Sequence, residues 1–178
     1  FDSIQEGLEI AINVSYRNLF NPRLIERMVS RIKESELKPH KLHIEMTEST
    51  LMRNRTSTQA FLSAFRKLGV ATILDDFGTG YSSLSCLRDL PVDSVKIDRE
   101  FTMNIHEDRS MYDMIATIIE LAHKMNLKVI AEGVEEKAIL EELKRLGCDY
   151  VQGYYYSKPL SEKEAQAFIK DYSSRDAS

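Results

Sequence analysis

At 178 residues, 43% of them hydrophobic, the chain has the length of one domain and enough apolar content for a core. Its net charge of −4 comes from interspersed acids and bases with no basic stripe, which argues against polymeric nucleic acid or an anionic membrane surface as partner. Cys86 and Cys148 have no metal-type spacing, and no stretch reaches the roughly 18 apolar residues of a spanning helix. A reduced, cytoplasmic segment without membrane contact is expected; it opens on Phe1 and reads as part of a longer chain, which could itself be anchored.

Ile10-Ala11-Ile12-Asn13-Val14-Ser15 reads as a short strand ending in an amide. Asn21-Pro22 opens a helix with Leu24, Ile25, Met28, Val29 and Ile32 at helical spacing. A second strand, Leu42–Met46, runs into Glu45-Met46-Thr47-Glu48-Ser49. The following helix carries Ala60, Phe61, Ala64, Phe65 and Leu68 and stops at Gly69. The third strand, from Ala71, leads to Asp75-Asp76-Phe77-Gly78-Thr79-Gly80-Tyr81-Ser82-Ser83 and a short helix near Leu84–Leu87 that the serines can cap. Ser94–Asp98 is a fourth strand and Met111–Met125 a long periodic helix. Lys128–Ala131, ending at Glu132-Gly133, is the fifth strand, and a helix from about 136 to 146 stops at Gly147. Asp149–Gly153 is the sixth strand, a last helix covers about 162–172, and 173–178 is expected to be a disordered tail.

Six strands alternating with six helices are the pattern of parallel α/β units. Their ends present Asn13, Glu45, Asp75 with Asp76, Lys96, Glu132 and Gln152, and in a βα barrel such ends form the face where active sites sit. A lone Asp-Asp is most simply a solvated turn; the repetition of a polar residue at every strand end is what points to a site. Successive strand residues point to opposite faces, so Asp75 and Asp76 can share that site only if the strand ends there and the chain turns. Carboxylates with an amide, and no clustered His or Cys, suit Mg²⁺, Mn²⁺ or Ca²⁺. Two such ions can activate a water and steady an in-line displacement at phosphorus. Lys96 either neutralises the acids or holds a phosphate oxygen or the attacking water. Glu132 is a further ligand or a general base, and Gln152 can read a base edge. His43 reads as a packed or satisfied histidine. Of Tyr154, Tyr155 and Tyr156, at least one is expected in the core, while the others could stack on a ligand. Asp76-Phe77-Gly78 and Gly78-Thr79-Gly80 lack the companion motifs of kinases and Walker loops.

Taken together, Asn13-Val14-Ser15, Glu45-Met46-Thr47-Glu48-Ser49, the Asp75–Ser83 run, Lys96-Ile97-Asp98-Arg99, Ala131-Glu132-Gly133-Val134-Glu135 and Gln152-Gly153-Tyr154 resemble the EAL family of bacterial cyclic-di-GMP phosphodiesterases, over about residues 10–160. The resemblance implies a TIM-like (β/α) barrel of the EAL type, truncated to about six βα units, with 1–172 a partial domain lacking its first strands. It implies hydrolysis of cyclic-di-GMP to linear pGpG with two Mg²⁺ or Mn²⁺ ions, in a two-ion site left incomplete here by the missing glutamate of the Glu-Ala-Leu motif. By that resemblance Asn13, Glu45 and Asp75 are metal ligands with Asp75 bridging, Asp76 holds the second ion, Lys96 contacts the water, Glu132 completes the metal shell and Gln152 contacts substrate. Glu48 would brace the Asp76–Ser83 loop, near a dimer interface, so a homodimer is expected.

The Glu-Ala-Leu motif that names the family is absent, Gly7-Leu8-Glu9-Ile10 is no substitute, and six strands stand where eight are needed. The expectation is an enzyme whose parent chain carries the preceding strands, with this segment impaired alone. Strands supplied by a partner chain, or truly lacking, are the competing explanations. A non-catalytic cyclic-di-GMP receptor or a dimerisation module is the alternative function, but receptors of that kind usually lose several strand-end acids, and those visible here are intact.

Overall fold

The computed structural model describes residues 8–35, 38–78 and 84–176. Six strands form one parallel sheet in sequential order: β1 (Ile10–Asn13), β2 (Leu42–Thr47), β3 (Ala71–Phe77), β4 (Ser94–Ile97), β5 (Lys128–Ala131) and β6 (Tyr150–Val151). The connections hold α1 (Tyr16–Leu19), α2 (Pro22–Glu34), α3 (Glu48–Met52), α4 (Arg55–Lys67), α5 (Leu84–Asp89), α6 (Arg99–Thr102), α7 (Arg109–Lys124) and α8 (Lys137–Arg145), and α9 (Glu162–Asp176) follows β6. These six βα units are the truncated barrel expected from the sequence. Helices α1, α3 and α6 were not anticipated, because four or five residues are too few to display a helical period.

The register explains the two chemical faces of the sheet. Asn13 pairs with Glu45, Thr47 with Asp75, and Lys96 with Ile130, so the polar strand-end residues fall on one side. The alternate residues Ile44, Met46, Leu74, Val95, Ile97, Val129 and Ala131 are buried against Leu51, Phe61, Leu62, Phe65, Ile115, Ile119 and Leu143 of the helices. All four residues of the central strand β4 are buried, Lys96 included. Among the described residues, β1 and β6 each pair on one side only. Tyr150, in register with Ile130 on the polar side of the sheet, is accordingly 55% exposed.

Two aspartates stitch the opposite, N-terminal ends of the strands. Asp93 Oδ2 accepts from the Thr72 N–H at 2.8 Å, and Asp149 Oδ2 accepts from the Val129 N–H at 3.0 Å. Each lies just before one strand and satisfies a backbone donor at the start of its neighbour.

Three expectations need correction or restatement. Strand β3 does not end at the acid pair but continues through Phe77, so no chain turn brings Asp75 and Asp76 together. Instead the β3–β4 register shifts between Leu74 and Phe77, and Asp76 adopts a left-handed φ of 56°: the pair sits on a β-bulge. Tyr154, Tyr155 and Tyr156 are all exposed, at 51%, 40% and 39%, so none belongs to the core. Helix α9 runs to Asp176, into the stretch expected to be a tail. No helix among the described residues is long and apolar enough to cross a membrane.

Candidate active site

The C-terminal strand ends converge on one ammonium. Lys96 Nζ lies 2.5 Å from Glu132 Oε1, 3.1 Å from Glu45 Oε2 and 3.5 Å from Asp75 Oδ1, and the residue is only 4% exposed. These carboxylates come from β2, β3 and the residue after β5, with Lys96 on β4 between them. Burial works against the charged ammonium, but the hydrogen bond to Glu132 and the charges of Asp75, Glu132 and Glu45 outweigh it and hold Lys96 above the usual lysine value. These contacts favour its charged form. Glu132 moves the other way from an ordinary carboxyl: burial raises its pKa, while Lys96 pulls it back.

The bulge supplies the next acid. The Asp76 N–H donates to Asp75 Oδ1 at 3.1 Å, which ties the first carboxylate to the backbone of the second. Burial raises the pKa of Asp76, and the neighbouring charges of Asp75 and Asp98 add to it. Asp98 also caps α6 by accepting from the Glu100 N–H at 2.7 Å. Asn13 ends β1 in register with Glu45 and is exposed; Gln152, exposed as well, donates its N–H to Ala131 O at 2.8 Å beside Glu132. Glu48 is buried as the first residue of α3, where its charge complements the helix dipole. Residues 79–83 of the loop it was expected to brace, among them Ser82 and Ser83, which were expected to cap a helix, lie outside the described residues. His43 shares the acid-bearing face one step below Glu45, with Nε2 2.9 Å from Glu9 Oε2 but neither ring nitrogen in a hydrogen bond among the described residues.

The turn after Glu132 has little slack. Gly133 takes a φ of +69°, and any Cβ there would run into the Arg99 side chain. Val134 N–H donates to Gln152 O at 3.1 Å, and a Cβ on Gly153 would strike the Val134 backbone. The glycines of the two motifs therefore let two strand ends lie against each other. Two neighbours had no role in the sequence reading. Asp98 could have been found as the acid two residues beyond Lys96. Thr102, whose hydroxyl bonds the Glu132 carbonyl, gave no local signal, since the contact spans thirty residues of chain.

The donor set consists of carboxylates and an amide, and the carboxylates outnumber the one buried ammonium among them. That chemistry fits a hard divalent cation. Among the described residues no three acids or histidines are gathered in ligating geometry; the acids are drawn toward Lys96 instead.

Residues 2–159 match the sequence model of the EAL domain. The chain is 40% identical over 167 residues to the cyclic di-GMP phosphodiesterase NbdA of Pseudomonas aeruginosa, covering 94% of this chain and 21% of that protein. It therefore spans about a fifth of the length of that relative. The crystal structure of the EAL domain of Mycobacterium smegmatis DcpA superposes with a TM-score of 0.89 at 34% identity, covering 96% of this chain and 76% of the other. A manganese and cyclic-di-GMP complex of Klebsiella pneumoniae BlrP1 superposes with a TM-score of 0.79 at 29% identity, covering 85% and 39%. With six parallel βα units, acids at the strand ends and a match over nearly its whole length, the chain belongs to the EAL domain family.

Proposed function

We propose that this chain forms most of the metal- and substrate-holding domain of a phosphodiesterase that hydrolyses cyclic-di-GMP to linear pGpG in bacterial second-messenger signalling. The observation that carries the reading is the convergence of Glu45, Asp75 and Glu132 on Lys96 at the C-terminal ends of parallel strands. It is supported by the activity named for NbdA and by the ligands named for BlrP1.

Asn13, Glu45, Asp75, Asp76 and Glu132 would hold Mg²⁺ or Mn²⁺, with Asp75 shared between two ions. When bound, such ions polarise a phosphoryl oxygen and lower the pKa of water. Lys96 keeps three carboxylates in place, and the donor turned to the most distant of them, Asp75 at 3.5 Å, would be the one given up to a water or phosphate oxygen. Glu132 would serve either as a metal ligand or as a general base, and burial, which raises its pKa, favours the second role. Gln152, exposed at the end of β6, presents one donor and one acceptor to a base edge. Glu48 would brace the loop after Asp76, and a homodimer through that loop in the bacterial cytoplasm is part of the same proposal.

The test is hydrolysis of cyclic-di-GMP with Mg²⁺ or Mn²⁺, comparing this chain with one extended upstream and separating products by chromatography. Formation of pGpG by the longer chain alone supports an enzyme completed by upstream strands. Binding without cleavage by both supports a receptor, and neither binding nor cleavage overturns the proposal.

A further inference from the structure

Thr102 closes α6 and is wholly buried, an unusual place for a hydroxyl unless it has a partner. Its Oγ1 stands 3.1 Å from the Arg99 carbonyl and closer still to the carbonyl of Glu132. The second bond spans two elements: α6 follows β4, whereas Glu132 follows β5. The Glu132 N–H already donates to Ile97 O at 3.0 Å. On the other side the strand pairing passes Glu132 by, since Gln152 N–H goes to Ala131 O and Val134 N–H goes to Gln152 O. Thr102 thus serves the carbonyl that the end of the sheet leaves over. Directly after it, Gly133 turns in the left-handed region with the Arg99 stem against it, which restricts how far the Glu132 backbone can shift.

We infer that Thr102 is a positioning residue: its buried hydroxyl, donated to the Glu132 carbonyl, sets the end of β5 so that the Glu132 carboxylate meets Lys96. The contact with Lys96 stands on geometry alone, while its value for a metal ion rests on the function proposed above. Valine would fill the same volume but leave a buried carbonyl unpaired.

Thr102→Val and Thr102→Ser separate bonding from packing, because the first keeps the shape without the hydroxyl and the second keeps the hydroxyl without the methyl. In the metal-free protein, ¹⁵N NMR of the lysine ammonium groups reads the Lys96–Glu132 contact through slow hydrogen exchange. The slowly exchanging Lys96 signal is expected in the wild type and T102S and is lost in T102V. A Mn²⁺ titration followed by electron paramagnetic resonance is expected to show about tenfold weaker binding in T102V, with T102S within about twofold of wild type. A T102V protein that keeps both the signal and the affinity overturns the inference, as does T102S failing as badly as T102V. So does a wild-type Lys96 ammonium that exchanges freely. If the wild type takes up no Mn²⁺, the functional reading fails, and the ammonium measurement alone decides the role of Thr102.

Discussion

Lys96 is the residue on which the site turns. An ammonium buried among Glu45, Asp75 and Glu132 has lost its water, and its charge is stabilised by those three carboxylates. Lys96→Met removes the cation and leaves the acids facing each other. The expected cost is about 3–5 kcal/mol at neutral pH, measured by urea unfolding. The sign of its pH dependence follows from Glu132, whose carboxyl burial already holds above its ordinary value and which Lys96 pulls back. Without that pull the folded-state pKa rises further. Stability of the variant is then retained in acid and lost as pH climbs through and above the usual carboxylate range. Asp75→Asn takes away one crowding charge instead. It is expected to lower metal-dependent hydrolysis by at least about a hundredfold in a complete domain, with circular dichroism and melting temperature little changed. Survival of activity would mean that Asp75 is not shared between ions. At this scale the sequence showed the donor types and their strand-end positions. It did not show the bulge that carries Asp75 and Asp76, nor the bonds of Thr102, because register shifts and contacts across thirty residues leave no local pattern.

Among the elements, the strands are tied at both ends by different chemistry. At the end away from the site, burial disfavours the charge of Asp149, yet hydrogen bonds from Lys128, His123 and the Val129 N–H outweigh it and bring the pKa down to about 2. Lys128 Nζ lies at 2.6 Å and His123 Nε2 at 2.8 Å. A depressed carboxyl contributes stability that is full above its unfolded pKa and disappears as pH falls from about 4 toward 2. Asp149→Asn is therefore expected to be less stable than wild type by about 1–2 kcal/mol at pH 7, after allowing for the exposed partners, and equally stable near pH 2. Unfolding curves at the two pH values check it; a gap that persists in acid would point to lost packing. Long helices such as α7 and the starts of the strands were legible from periodicity. The one-turn helices after β1, β2 and β4 were not, since they are fixed by caps and by the turn off the sheet.

For the whole molecule, the open sheet sets the behaviour. One side of the sheet is covered by helices, whereas the polar side ends at β1 and β6 with unpaired edges among the described residues, and Tyr150 stands exposed beside β5. Unpaired edges favour pairing with another chain. Analytical ultracentrifugation is expected to show association that grows with concentration for these 178 residues; a stable monomer throughout would show that the edges are protected in another way. The amino-acid sequence by itself determined the alternation of strands and helices, the oxygen-donor chemistry at the strand ends and the family, because these depend on local periodicity and on ordered motifs. Only the tertiary structure decided which carboxylates meet Lys96, that Asp76 sits in a left-handed bulge, and that the tyrosines after β6 stay outside the core. Those depend on register and on contacts between distant segments, which neighbouring residues cannot encode alone.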